Sequence, residues 1–403
     1  MYRQRWLTER LAQASRVSRV LVLTGARQTG KSTLLANESM FSGYRQVTLD
    51  DMATLTQAEE APETLVNMAP NMIIDEAQRA PKLMIAVKKA VDDDPERRFV
   101  LSGSANLLLM KRVSETLAGR ATYHVLYPPT WSEWQGNGVP RWLLAMFDGR
   151  VPIEESAVPA QTDLASTLYS GFMPGIQGGS APDAAFFWEG YVRTYLERDL
   201  RELSEVSSVV DFRRVMRLAA MRTGSLVSQS DIAKDSGVSQ STVWRYLNLL
   251  EVSHLYSRLP SAPTTSLGAV TKTPKGYVVD SGLAAALGGY LSPGSLDETF
   301  MGHLLESAVF MALQAVSELW MAQLSFVRTR EAPYREIDFV MERDRKRLAI
   351  EVKLSHSVSY TDARSIAWMM SEDSQCVGGV VVYGGTDVQL LAAHIVAVPW
   401  SML

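Results

Sequence analysis

Residues 25–32, with the sequence Gly-Ala-Arg-Gln-Thr-Gly-Lys-Ser, constrain the fold more than any other stretch of this chain. They match the phosphate-binding pattern G-x-x-x-x-G-K-[ST] at every fixed position. The apolar run at 20–24 is typical of a buried parallel strand, and residues 32–36 are typical of the first turns of a helix. Because the pattern requires a strand, a glycine loop and a helix, this context favours a phosphate site over a plain glycine turn.

The residue types of this loop predict how a nucleotide would bind. Glycines let backbone N–H groups turn toward an anion, and the helix start adds unpaired donors and partial positive charge. Lys31 would reach the β- and γ-phosphates of ATP, and the Ser32 hydroxyl would hold Mg²⁺. The predicted nucleotide-binding residues are Gly25, Ala26, Arg27, Gln28, Thr29, Gly30, Lys31, Ser32 and Thr33, together with Asp75 from a later strand.

A second motif, Met-Ile-Ile-Asp-Glu at 72–76, predicts an apolar strand that ends in two carboxylates. Asp75 would bind Mg²⁺, directly or through water. Glu76 would polarise the attacking water, because phosphoryl transfer leaves the protein mainly positioning and charge stabilisation to supply. Such a strand is weak evidence alone, but after a phosphate loop it makes ATP hydrolysis the expected reaction.

Two more candidates for the ATP site follow along the chain. A strand predicted at 98–102 would bring Ser102 or Ser104 to the carboxyl edge of the sheet, where ligands bind in open α/β sheets. Either serine would contact the γ-phosphate or the water, or else belong to a plain turn. Arg120, before the next strand, is a candidate for neutralising transition-state charge, in the same chain or from a neighbouring subunit. A solvated arginine is the alternative.

Length, charge and cysteine content limit the classes of protein. A chain of 403 residues is long enough for two or three domains. Its one cysteine, Cys376, excludes an internal disulfide and fits a reducing compartment. No run reaches membrane-spanning length and the N-terminus lacks a secretory core, so we expect a cytoplasmic protein with no membrane partner. An oligomer is compatible with these features.

The predicted fold class is α/β, in three parts: a P-loop ATPase domain at 1–165, a helical region at 166–290 and an α/β domain at 291–403. Within the helical region, residues 212–262 are typical of a winged helix. A glycine turn at Gly237 is followed by a helix that Ser239 would cap.

The start of that second helix is the candidate contact with double-stranded DNA. Lys272 and Lys275, on the side of the predicted wing, would add positive charge. The net charge of the chain is −4 and few cations lie in this region, so a packing or protein-contact module is the alternative. The residues near the exposed helix start are Ser239, Gln240, Thr242 and Arg245.

The last part carries a different constellation. Asp338 alternates with apolar neighbours, and Glu351 and Lys353, two apart, share one face of the next predicted strand. The connection at 342–347 is short and charged, so the strands should pair as a hairpin that brings the three side chains together. Glu306, on an apolar helix, would add a third carboxylate. Such a set would hold Mg²⁺ through oxygen, with a lysine beside it. An exposed Glu–Lys pair on a hairpin is the alternative.

Taken together, the motifs resemble a widespread prokaryotic family of AAA-like ATPases fused to a C-terminal domain of unknown function with a winged helix and a PD-(D/E)XK nuclease-like fold. The resemblance implies ATP binding by an α/β ATPase followed by a nuclease-like domain. One departure is the turn Ser-Gly-Phe-Met-Pro at 170–174, where the family usually has Gly-Gly-aromatic-Pro. The matching segments are GARQTGKS, IIDEAQ, LSGSAN, LAGR, TYLERDL, VSQSTVWRYLNLLE, PKGYVVDSGLAAAL, HLLESAVF and REIDFVMERDRKRLAIEVKLS.

The leading hypothesis is an ATPase that couples ATP binding and hydrolysis to a rearrangement of its C-terminal half, with DNA as a candidate partner. One alternative is a nucleotide-dependent DNA-binding or scaffolding switch with negligible turnover. Another is a metal-dependent nuclease gated by ATP. The net acidity of residues 291–403 weighs against cleavage, because DNA would be repelled unless a metal ion offset that charge.

Overall fold

The computed structural model describes residues 2–103, 116–152, 163–193, 208–263, 270–330 and 334–403. Ser104 lies outside the described residues, as does the TYLERDL segment at 194–200. The chain forms two compact units. The first comprises residues 1–129 with 252–254, and the second comprises residues 130–251 with 255–403.

The first unit is built on a five-stranded parallel sheet in the order β2-β3-β4-β1-β5, which confirms the predicted P-loop sheet. Because the strands are parallel, the segments after β1, β3 and β4 all leave the sheet at its carboxyl edge. The strands are β1 (Val20–Thr24), β2 (Arg45–Thr48), β3 (Asn71–Asp75), β4 (Arg98–Ser102) and β5 (Ala121–Val125). The helices are α1 (Leu7–Val17), α2 (Lys31–Asn37), α3 (Met52–Glu60), α4 (Pro62–Val66) and α5 (Leu83–Asp93).

Every residue of β1 is buried, as its apolar sequence predicts for a central parallel strand. Successive side chains point to opposite faces of the sheet. Val20 and Val22 join one apolar cluster that includes residues of α3, α4 and α5. Leu21 and Leu23 join another that includes residues of α1 and α2. The strand before the phosphate loop is therefore fixed from both sides.

The second unit begins with two short helices, α6 (Trp131–Gln135) and α7 (Arg141–Met146). The first of them packs against the C-terminal residues of the same unit. The Ser132 N–H donates to the Leu403 carbonyl at 3.1 Å, and the rings of Trp131 and Trp400 lie 5.1 Å apart. The first unit thus ends at Pro129, before the boundary near residue 165 that the loop-rich composition suggested.

The helical part of this unit continues with α8 (Leu164–Ser170), α9 (Ala181–Tyr191), α10 (Val209–Met221), α11 (Gln229–Ser236) and α12 (Gln240–Val252). A small antiparallel sheet in the order β6-β8-β7 accompanies the last three helices. Its strands are β6 (Ser225–Leu226), β7 (Tyr256–Leu259) and β8 (Lys275–Val278). The Thr242 N–H donates to the Ser239 hydroxyl at 3.2 Å, which confirms the predicted cap.

A buried carboxylate, Asp280, joins the 170–174 turn to helix α13 (Ser281–Gly288). It accepts the N–H of Phe172 at 2.9 Å and that of Gly282 at 2.8 Å. A Cβ at Gly171, where φ is +80°, would lie 2.0 Å from an Asp280 oxygen, so this turn needs glycine. Burial raises the pKa of Asp280 to about 7, although the backbone N–H donors act in the opposite direction.

The C-terminal part is a six-stranded mixed sheet in the order β13-β14-β12-β11-β10-β9, with helices α14 (Glu298–Trp320) and α15 (Arg364–Glu372). The predicted hairpin is confirmed: β10 and β11 pair antiparallel, with Phe339 opposite Ile350. Its two-residue turn, Asp344 and Arg345, has positive φ at both positions. The strands are β9 (Gln323–Arg328), β10 (Glu336–Arg343), β11 (Lys346–Lys353), β12 (Cys376–Tyr383), β13 (Gln389–Ala392) and β14 (Ile395–Pro399).

Helix α14 is long and apolar enough to cross a membrane. Judged by length and composition alone, it is the one such helix among the described residues. Leu304, Phe310 and Leu313 on it are completely buried. More than half of its most apolar window is buried inside the protein, as in the core helix of a globular fold.

Candidate functional site

The phosphate loop joins β1 to α2 at the carboxyl edge of the first sheet. Gly25 has a φ of +149°, and a Cβ there would lie 2.3 Å from the Leu126 carbonyl oxygen. Gly30 is left-handed, with a φ of 94°. Both fixed glycines of the motif are therefore required by the backbone.

Lys31 lies inside this loop and is 7% exposed. Its ammonium donates to the carbonyl oxygens of Gly25 at 3.0 Å and Ala26 at 2.9 Å. Burial lowers its pKa to about 8, partly offset by the negative charges of Glu76 and Asp75. The ammonium is thus poorly solvated and its present partners are neutral, so an anion in the loop would bind it strongly.

Asp75, at the end of β3, is the centre of a hydrogen-bond network that includes the first turn of α2 and the end of β4. The Ser32 hydroxyl donates to its Oδ2 at 2.6 Å, and the Ser102 hydroxyl donates to its Oδ1 at 2.6 Å. Ser102 is completely buried and orients the Asp75 carboxylate, a different role from the predicted phosphate contact. A hydroxyl and a carboxylate oxygen side by side fit the ligand preference of Mg²⁺.

Glu76 follows Asp75 in the left-handed conformation, with a φ of 53°. Residues other than glycine seldom adopt this conformation, which concentrates at functional sites. The Gln78 side-chain amide donates to Glu76 Oε2. Gln78 therefore fixes the carboxylate that was predicted to polarise water. Sequence reasoning missed Gln78, although it stands within the matching segment IIDEAQ.

Arg5 supports the phosphate loop and was also missed. It is buried, and its guanidinium donates to the Thr29 carbonyl at 3.0 Å and to the Tyr127 carbonyl at 2.7 Å. The Thr29 hydroxyl in turn donates to the Ala26 carbonyl at 2.9 Å. No local pattern marks Arg5, because its partners are 24 and 122 residues away.

His254 is a further residue of the first unit that sequence reasoning missed. It has a positive φ of 56°. Burial, followed by the positive charge of Lys31, lowers its pKa to about 4. The imidazole is therefore neutral at pH 7 and lies within electrostatic range of the phosphate-loop lysine.

Arg120 does not lie with the phosphate loop of its own chain. It precedes β5 at the amino edge of the sheet, where Val20 at the start of β1 pairs with Ala121. The loop, by contrast, follows the carboxyl end of β1. Two guanidinium nitrogens of Arg120 bind Asp92, at 2.5 Å and 3.0 Å. This corrects the prediction of a role within the chain, and a role toward a neighbouring subunit stays a prediction.

In the second unit, Glu306, Asp338, Glu351 and Lys353 all line one cavity of about 510 Å³. The carboxylates of Glu306 and Asp338 lie close together, but the group between them is the Lys275 ammonium and not an open site. Their oxygens lie 3.0 Å and 3.2 Å from Lys275 Nζ, and Glu336 Oε1 lies 2.8 Å from the same atom. Burial alone would lower the pKa of Lys275, but the three carboxylates raise it well above its usual value.

Glu351 and Lys353 form the other half of this cavity, with Lys353 Nζ 3.2 Å from Glu351 Oε2. Burial and the negative charge of Asp338 raise the pKa of Glu351 well above its usual range. Among the described residues, no group of three or more His, Cys, Asp or Glu side chains is arranged to hold a metal ion. The predicted metal cluster is corrected accordingly, because Lys275 occupies the place between its carboxylates.

The candidate DNA-contacting residues are partly as expected. Ser239, Gln240 and Arg245 are exposed at the start of α12, and Lys272 is exposed as well. Lys275 is 2% exposed and committed to carboxylates, so the expectation that it faces DNA was wrong. Two of the three predicted cations remain accessible.

Comparisons with known proteins match three parts of the chain. Residues 17–135 match the family described as "AAA domain". Residues 161–293 match "Domain of unknown function (DUF8612)", and residues 301–403 match "Domain of unknown function (DUF4143)". Residues 17–135 are therefore similar to the AAA domain family, and they contain the phosphate loop and the acidic pair.

Relatives with similar sequences span most of the chain, and one solved structure shows a more distant likeness. Uncharacterized proteins of Mycobacterium tuberculosis and Mycobacterium bovis are 27% identical over 393 residues, covering 97% of this chain and 82% of theirs. A Walker-type ATPase of Pyrococcus abyssi is 16% identical, with a TM-score of 0.43, covering 71% of this chain and 96% of its own.

Proposed function

We propose that this chain binds ATP with Mg²⁺, hydrolyses it, and couples the nucleotide state to a rearrangement of its C-terminal half. The convergence of Lys31, Ser32 and Asp75 at one sheet edge carries this proposal. Lys31 offers a desolvated ammonium, and the Ser32 hydroxyl and Asp75 carboxylate lie 2.6 Å apart. The match of residues 17–135 to the AAA domain family supports it.

In the proposed reaction, Lys31 leaves the Gly25 and Ala26 carbonyls and binds the β- and γ-phosphates. Ser32 and Asp75 would hold Mg²⁺, which offsets phosphate charge when bound. Ser102 keeps the Asp75 carboxylate in place by its hydrogen bond. Glu76 accepts a proton from the attacking water, and Gln78 holds the Glu76 carboxylate until then.

The segment Val252–His254 supports the proposed coupling. Val252 is the last residue of α12, whose preceding residues belong to the second unit, whereas Val252–His254 belongs to the first unit. Burial, and after it the positive charge of Lys31, lowers the pKa of His254. We expect the charge change that accompanies phosphate binding to act on His254, two residues after the end of α12.

A phosphate-release assay on the full chain tests the proposed hydrolysis. We expect ATP turnover in the parent protein and its loss in Lys31→Ala. The matched control is Lys89→Ala on α5, which removes an exposed lysine whose ion pair with Glu63 is worth little. Turnover that survives Lys31→Ala, or that falls equally in Lys89→Ala, would contradict the assignment.

The second candidate is a nucleotide-dependent switch with negligible turnover. The Gln78 bond to Glu76 favours it, because an acceptor position of Oε2 already taken by an amide weakens the carboxylate as a base toward water. The two candidates differ in one measurement: the switch would bind ATP without releasing phosphate. Double-stranded DNA is the proposed partner in both, through the exposed start of α12.

A further inference from the structure

A buried ammonium group occupies the centre of the carboxylate cluster in the second unit. The Lys275 side chain is 3% exposed, and its Nζ is within 3.2 Å of oxygens from Glu306, Glu336 and Asp338. Several carboxylate oxygens converging on one point is the environment that divalent cations occupy in proteins. We propose that Lys275 is an internal cation that takes the place of a divalent metal ion, so that this cavity is neutralised without Mg²⁺.

The balance of charges around the cavity supports this proposal. Four carboxylates face it, from Glu306, Glu336, Asp338 and Glu351. Lys275 and Lys353 each pair with carboxylates in it, and Arg328 Nε lies 3.7 Å from Glu336. A divalent cation added between the carboxylates would therefore meet a fixed ammonium at close range, in a poorly solvated site where repulsion is strong.

The anchoring of Lys275 keeps the ammonium in place. Lys275 is the first residue of β8, where it pairs with Leu226 of β6 and Leu259 of β7. Tyr277, two residues on, donates its hydroxyl to Glu306 Oε1 at 2.7 Å. Lys275 and Tyr277 thus both bind Glu306. The lysine side chain therefore cannot leave the cavity without breaking contacts between the small sheet and α14.

The carboxylates that surround the ammonium would remain without it. Oxygens of Glu306, Glu336 and Asp338 lie 3.0 Å, 2.8 Å and 3.2 Å from Lys275 Nζ. With the lysine gone, these three carboxylates would provide oxygen ligands for one divalent ion at the position of the ammonium. Glu351 lines the same cavity, where its Oε2 pairs with Lys353.

Mn²⁺ binding to the nucleotide-free full chain tests the proposal, with electron paramagnetic resonance to count bound ions. Each protein is compared with its counterpart carrying Asp338→Asn, so that ions held elsewhere cancel. We expect no Asp338-dependent Mn²⁺ site in the parent. Lys275→Met keeps the length of the side chain without its charge. It should gain one such site, with an Mn²⁺ affinity at least tenfold above any Asp338-dependent binding detected in the parent.

Thermal unfolding gives a second readout. Lys275→Met leaves the carboxylates uncompensated, so its Tm should fall and Mn²⁺ should raise it again, but not in the Lys275→Met, Asp338→Asn double variant. If Lys275→Met is unfolded in EDTA, recovery on refolding with Mn²⁺ is the equivalent result. An Asp338-dependent Mn²⁺ site in the parent would overturn the proposal. So would a Lys275→Met protein that gains neither Mn²⁺ nor stability from it.

Discussion

The Ser32 hydroxyl lies 2.6 Å from Asp75 Oδ2, which joins the end of the phosphate loop to the end of the strand that carries the acidic pair. The two residues are 43 positions apart in the chain. They meet because β1, β4 and β3 are neighbouring parallel strands whose carboxyl ends share one edge. The proposed ATP site therefore depends on strand order as much as on the loop sequence.

ATP affinity should fall as the pH rises above 8. Burial lowers the pKa of Lys31 to about 8, so the free protein loses the ammonium above that pH, whereas bound phosphates would favour the charged form. We expect the Kd for ATP with Mg²⁺ to rise about tenfold between pH 8 and pH 9.5, measured with a fluorescent ATP analogue. Lys31→Arg keeps its charge over this range, so its Kd should stay flat. A parallel rise in both proteins would contradict a role for Lys31 ionisation.

Glu76→Gln should separate binding from hydrolysis. The amide keeps the shape of the side chain but cannot take a proton from water, so phosphate release should fall about a hundredfold while ATP affinity changes little. Glu59→Gln in α3 of the same unit is the matched control and should turn over like the parent. Full activity in Glu76→Gln would place the general base elsewhere.

DNA binding should depend on Arg245 and Lys272 specifically, and not on the net charge of the protein. Reversing both with Arg245→Glu and Lys272→Glu should abolish binding of a short duplex, and binding to the parent should weaken steeply with salt. Fluorescence anisotropy at low salt, with and without ATP, measures both effects. Arg345→Glu with Lys82→Glu changes the net charge equally at other exposed sites and should bind like the parent. A parent protein that binds no duplex at low salt would leave residues 212–262 as a packing or partner-contact module.

The stability of the second unit should depend on pH through the titration of Asp280. Burial raises the pKa of Asp280 in the folded protein to about 7 from an ordinary value near 4. Between these values the folded state binds more protons than the unfolded state, so this group lowers stability as the pH rises from about 4 to 7. The parent should therefore lose Tm over that range relative to Asp280→Asn, in which the group cannot titrate. Identical pH profiles for the two proteins would show that the backbone donors hold Asp280 charged throughout.

The sequence predicted the parts of the proposed ATP site that are local along the chain. The loop glycines, Lys31 and the acidic pair follow from spacing alone, and the hairpin of β10 and β11 followed from the alternation around Asp338. Arg120 was misplaced within the chain although it precedes a strand, and in a parallel sheet the residues before a strand lie at the amino edge, away from the phosphate loop. Lys275 was misplaced because its partners come from α14 and β10, and a lysine in a polar segment usually faces water.

Contacts across long stretches of sequence also explain what was missed. Gln78 and Arg5 act through single hydrogen bonds that no periodicity encodes. His254 enters the first unit through three residues of chain, too few for any composition signal.

Because Arg5 donates a hydrogen bond to the Thr29 carbonyl, the segment before α1 helps to hold the proposed nucleotide-binding loop. A protease that clips the chain just before α1 would remove this brace and leave the loop motif intact. Loss of ATP affinity in such a shortened protein would therefore result from the lost hydrogen bonds of Arg5, because every residue of the loop motif would still be present.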